Sequence, residues 1–95
     1  MKIVWTSVAE KQYYTIIDYL FEEFGIKTMN DFIDEVENCM YLIAENPYCF
    51  IEFQQNKKYR KGIIHSNVSF FYRVYENEIV VHLFWNNSQD PKKLK

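Results

Sequence analysis

Ninety-five residues, 48% of them hydrophobic and 19% aromatic, describe one globular domain over residues 1–95 and exclude a disordered chain. A net charge of −2 and a pI near 5.6 argue against a strong non-specific nucleic-acid binder, which carries a high pI. The charge is nevertheless split. Residues 1–52 hold ten acids against three bases, a net −7, and residues 53–95 hold eight bases against three acids, a net +5. The second half is therefore the part suited to nucleic acid or an acidic protein.

In chain order, Lys2–Trp5 is short and apolar and reads as an edge or central strand. No secretory apolar region precedes it, and no run is long enough to span a bilayer, so a cytoplasmic location with Cys39 and Cys49 as reduced thiols is expected. Ser7-Val8-Ala9-Glu10 fits a capping box with Ser7 as N-cap. Tyr13, Ile16, Ile17, Leu20 and Phe24 then form one helical stripe, and Gly25 sits where a C-terminal glycine belongs. A second helix opens at Thr28, with Asp31 favouring the cap and the dipole. Its stripe is Phe32, Ile33, Val36, Met40 and Ile43, and Asn46-Pro47 ends it. So short a link predicts a helical hairpin.

Tyr48–Asn56 reads as a loop or irregular strand with a buried-looking Phe50-Ile51-Glu52-Phe53. Three strands follow, Tyr59–His65, Val68–Tyr75 and Glu78–Trp85, divided by Ser66-Asn67 and Glu76-Asn77. Two-residue breaks that carry Asn predict tight hairpins and an antiparallel meander. Pairing His65 with Val68 puts Arg60 opposite Arg73, and pairing Tyr75 with Glu78 puts Phe71 opposite His82. Period-two alternation then gives one apolar face of Phe70, Tyr72, Val74, Ile79, Val81 and Leu83. The other face carries Arg60, Ser69, Phe71, Arg73, His82 and Phe84. The apolar face needs the two helical stripes to cover it. The order β-α-α-β-β-β thus predicts an α+β fold, a helical hairpin packed on one face of a small, mostly antiparallel sheet.

Candidate sites cluster in the basic half. Arg60 and Arg73, side by side, would repel unless an anion or acid sat between them, and guanidinium pairs engage phosphate or carboxylate bidentately. Lys57, Lys58 and Lys61 surround Tyr59, an arrangement suited to anion or target binding by charge and stacking, or to a solvated face. His82, one row from the arginines, could move protons at a phosphate, although a half-buried histidine between Phe71 and Phe84 is the plainer reading. Asp31, Asp34 and Glu35 share a helix region without a histidine, so no metal site is expected. Cys39 lies beside the helical stripe and reads as core. There is no Gly-rich phosphate loop and no cofactor is expected.

This order of elements resembles the RelE/ParE superfamily of toxins from type II toxin–antitoxin modules, the plasmid stabilisation family. The matching residues are Trp5-Thr6 with Ala9, Ile17–Tyr19-Leu20, Phe24-Gly25, Asn46-Pro47, Tyr59-Arg60-Lys61, Phe71-Tyr72-Arg73-Val74 and Gln89-Asp90-Pro91-Lys92-Lys93-Leu94. The resemblance implies a bacterial growth inhibitor restrained by a cognate antitoxin. RelE-like members cut mRNA in the ribosome, whereas ParE-like members inhibit DNA gyrase and are not nucleases. Many relatives have Asp-Thr-Arg where this chain has Asn86-Asn87-Ser88, and a His-Tyr pair near the end of some nuclease members is missing. Those departures and the acidic pI favour the ParE-like reading. The alternative is a RelE-like ribosome-dependent endoribonuclease with Arg60, Arg73 and His82 as its catalytic candidates. A third is a non-toxic relative that only binds antitoxin.

Overall fold

The computed structural model describes residues 1–65 and 67–86. The Gln89–Leu94 match, the Asn87-Ser88 substitution, Ser66 of the first turn and the basic tail of Lys92, Lys93 and Lys95 lie outside them. The elements are β1 (Lys2–Trp5), α1 (Ser7–Phe24), α2 (Ile26–Glu45), β2 (Arg60–His65), β3 (Val68–Val74) and β4 (Glu78–Asn86). The sheet runs β1-β4-β3-β2, with β1 an edge strand parallel to β4 and the other two pairs antiparallel. Both helices cover one face. Ile16 and Leu20 of α1 and Phe32, Val36 and Ile43 of α2 pack on Phe70, Tyr72, Ile79 and Val81.

The helix boundaries depart from the sequence reading by one or two residues. The N-cap of α1 is Thr6, not Ser7. The Thr6 hydroxyl accepts from the Ala9 N–H at 3.0 Å and donates to the His82 carbonyl at 2.8 Å. A serine one residue later could not reach both the helix and β4, so the strand contact decides which hydroxyl caps. α2 opens at Ile26 rather than Thr28, because Gly25 ends one helix and begins the next. Its N–H donates to the Phe21 carbonyl at 3.0 Å and its carbonyl accepts from the Met29 N–H at 3.2 Å. This works at φ 93°, ψ −179°, a region nearly closed to residues with a Cβ. Phe24, assigned to the apolar stripe, is 61% exposed at the tip of the hairpin. Gly25→Ala should cost about 1–3 kcal/mol. It would be read as a lower urea midpoint at unchanged slope, and an unchanged midpoint would contradict this backbone.

Within the 46–59 loop, residues 51–53 pair with the start of β2 at the edge of the sheet. Phe53 N–H donates to the Tyr59 carbonyl at 2.8 Å, Lys61 N–H donates to the Ile51 carbonyl at 3.2 Å, and Glu52 bridges Arg60. Phe50 packs on the core and Phe53 on Phe71 of the opposite face, whereas Ile51 is 75% exposed and Glu52 is exposed, so only half of the expected buried run is covered. Tyr72, fully buried, anchors the start of this loop by donating its hydroxyl to the Pro47 carbonyl at 2.7 Å. Burial, with smaller help from Cys49, pushes the phenol up to about 12. The folded pKa is raised above the ordinary value of 10.0, so this contribution is full below pH 10 and is lost as pH rises towards 12. Tyr72→Phe should cost about 1 kcal/mol at neutral pH. The gap to the parent should narrow in alkaline urea titrations; a constant gap would place the phenol in solvent.

Two bulges change the register of the sheet. In β2 the expected Gly62–Phe71 and Arg60–Arg73 pairs are replaced by Gly62–Phe70 and Arg60–Tyr72, because Ile64 is an extra residue between Ile63–Ser69 and His65–Val68. Ile64 is buried in consequence, and the Phe70 ring lies on Gly62. Between β3 and β4, Phe71 pairs with Leu83 and Tyr72 with Val81, leaving His82 as the extra residue. Beyond it the faces exchange. Phe84 enters the core at 1% exposure, and Leu83 goes to the open face. Phe84 packs against Trp5 at 4.9 Å, Tyr13 at 5.6 Å and Phe70 at 6.1 Å between ring centroids. Burying the larger ring decides the register against strict alternation.

Candidate functional site

The face of the sheet turned away from the helices carries the site. Directly paired residues share a face, so Lys61 lies with Phe71 on the open side, and Arg60 lies with Tyr72 on the helix side. Arg60 and Arg73 are therefore on opposite faces, and the expected guanidinium pair does not form. Arg60 donates Nη1–H to the Phe50 carbonyl at 2.8 Å, with its guanidinium 4.8 Å from the Tyr48 ring centre. It clamps the 46–53 loop to β2. Arg73 is on the open face, 4.8 Å from the Tyr75 ring centre and 5.8 Å from that of Tyr59. Lys61 Nζ stands 6.0 Å from the Phe71 ring centre. Lys57 and Lys58 are exposed in the turn between Asn56 and Tyr59, with the Lys58 N–H donating to Asn56 Oδ1 at 3.2 Å. Among the described residues, none of these cations meets a carboxylate.

Where the 53–59 loop crosses towards the β1–α1 junction it leaves a cleft of about 430 Å³. Val8, Phe53, Tyr59, Phe71 and Leu83 supply an apolar lining, with Thr6, Asn56 and His82 as its polar members. Phe53 packs edge-on against Phe71 at 4.8 Å. The Tyr59 ring stands edge-on to the His82 imidazole at 5.1 Å. Burial pushes His82 below its ordinary value, and the Arg73 charge adds to the effect, so the ring is neutral at pH 7. Among the described residues its buried Nε2 has no hydrogen-bond partner. A proton donor at neutral pH needs the proton that this environment withholds, and a base needs an accessible lone pair. His82 has neither.

The profile of the family described as ParE toxin of type II toxin-antitoxin system, parDE, matches residues 3–91. This chain belongs to that family. The fold is also that of solved superfamily members. A chain of the chromosomal ParDE system from P. aeruginosa is similar at TM-score 0.76 and 15% identity, over 90% of this chain and 95% of that one. A YoeB/ParE toxin from Agrobacterium tumefaciens is similar at 0.67 and 15%, over 90% and 98%. YafQ from E. coli is similar at 0.64 and 10%, over 92% and 93%. No curated protein sequence matches the chain.

A ParE-family toxin of a type II module implies a cognate antitoxin partner. Among the described residues of this one, no helix is long and apolar enough to cross a membrane, and no group of three or more His, Cys, Asp or Glu is placed to hold a metal. Both cysteines are free, and burial, followed by Glu35 and Cys49, pushes the Cys39 thiol up. Of the cleft lining, Val8 and Phe53 escaped the sequence reading, which singles out Tyr59 among its lysines. Strand alternation carries no signal for a loop that folds back over its own sheet. The one available hint was the aromatic density around Phe53, Tyr59 and Phe71.

Proposed function

We propose that this chain is a growth-inhibiting toxin that acts by binding a target protein, DNA gyrase, in the ParE manner. The arrangement on the open face supports the reading. Arg60, needed beside Arg73 to hold a phosphate, is engaged with Phe50 and Tyr48 on the other side of the sheet. What faces outward is an apolar cleft, with Arg73 against its Tyr59 wall, Lys61 near Phe71, Lys57 and Lys58 in the adjoining turn, and His82 in its lining edge-on to Tyr59. That surface is suited to burying a protein side chain rather than to moving protons at a phosphate. A ribosome-dependent mRNA endoribonuclease is the second reading, favoured by the shared open-face placement of Lys61, Arg73 and His82. Lys57, Lys58, Lys61 and Arg73 are the target-binding residues on the first reading, and Arg60 supports the loop. The purified toxin should inhibit supercoiling of relaxed plasmid by gyrase, and its antitoxin should relieve the inhibition. Full supercoiling at saturating toxin would contradict the gyrase assignment.

A further inference from the structure

We infer that the open-face cleft is an anchor pocket for one aromatic side chain carried on an acidic segment of a protein partner. The inference rests on the protein-binding reading above and specifies what the site takes. A volume of about 430 Å³ is ample for one phenyl or indole group, and Val8, Phe71 and Leu83 offer it apolar surface. Phe53 and Tyr59 form aromatic walls against which a ring packs edge-on or offset.

The charge around the rim selects the rest of the partner. Lys57 and Lys58 sit between the two lining residues Asn56 and Tyr59, and the Arg73 guanidinium lies against the Tyr59 ring. Among the described residues none of the three is neutralised by a carboxylate. An acidic segment complements this rim, and its approach is favoured at low salt. A nucleobase would also meet aromatic walls and positive charge. Its hydrogen-bonding edge would, however, find few partners: the Thr6 hydroxyl is engaged with Ala9 and His82, Asn56 Oδ1 accepts from Lys58, His82 Nε2 is buried, and Val8, Phe71 and Leu83 are apolar. The apolar lining thus favours a hydrocarbon ring.

The test uses the whole chain, isotopically labelled, and three probes. They are the capped peptide Asp-Glu-Phe-Glu-Asp, the same peptide with Ala for Phe, and a hexamer of uridylate RNA. The Phe peptide should saturate at millimolar concentration, with amide shifts centred on Val8, Phe71 and Leu83. Exchange of Phe for Ala should weaken binding about tenfold or more, the effect of burying one aromatic side chain. Val8→Trp, which fills the cleft mouth from an exposed position, should abolish the shifts. Lys57→Ala with Lys58→Ala and Arg73→Ala should weaken the Phe peptide and flatten its salt dependence while leaving the preference for Phe over Ala. Equal binding of the Phe and Ala peptides, shifts that never saturate, or stronger RNA binding at the same amides would each overturn the inference. The assay contains no gyrase and no ribosome, so its failure is distinct from failure of the target assignment.

Discussion

Phe84→Ala should destabilise the fold by about 3–5 kcal/mol, while Leu83→Ala should cost about 1 kcal/mol or less. The two residues are neighbours on β4, and strict alternation gives the opposite ranking. The extra residue at His82 is what reverses them. It turns Phe84 inward to 1% exposure, against Trp5, Tyr13 and Phe70, and leaves Leu83 on the wall of the open-face cleft. Removing the Phe84 ring empties a volume enclosed by other rings that cannot all collapse into it, so a cavity cost adds to the lost burial. Removing Leu83 widens a cleft already open to water. Urea unfolding of both variants measures the ranking. Equal costs, or a larger cost for Leu83→Ala, would contradict the bulge.

Gly62→Ala should cost about 3 kcal/mol, the upper end of overpacking penalties. A Cβ on Gly62 would overlap Cε1 and Cζ of Phe70 on the opposing strand. Phe70 is fully buried, flanked by Phe50 at 5.7 Å and Tyr72 at 5.6 Å, so its ring has nowhere to move. The penalty belongs to the pair rather than to the glycine. Phe70→Leu is itself costly in the parent, yet in the Gly62→Ala background it should cost less, because the smaller side chain relieves the overlap. Additive losses in the double variant would show that Gly62 does not seat the Phe70 ring.

Periodicity made the helices, the meander and most of the core visible in the sequence. Ile16, Leu20, Phe32, Val36 and Ile43 sit on the stripes that spacing identifies, and Phe70, Tyr72, Ile79 and Val81 sit on the sheet face that alternation identifies. Apart from the early start of α2, set locally by Gly25, the main departures arose where a long-range contact outweighed a local rule. Thr6 caps α1 because its hydroxyl also reaches the His82 carbonyl. Ile64 and His82 bulge because that buries Ile64 and Phe84. The site suffered most. Its sharpest expected feature was the adjacency of Arg60 and Arg73, which depended on a register that a one-residue shift reverses. Of the basic residues around Tyr59, Lys57 and Lys58 adjoin the cleft-lining Asn56 and Tyr59 in sequence, and the Arg73 guanidinium lies against the Tyr59 ring.

The central functional claim is arrest by protein binding. It is tested most directly by inducing this chain alone in a bacterial host and following growth and mRNA 5′ ends together. Growth arrest with unchanged mRNA ends is the expected result. Growth arrest accompanied by new, ribosome-dependent mRNA ends would contradict it and would make Arg73, Lys61 and His82 the residues to examine for catalysis.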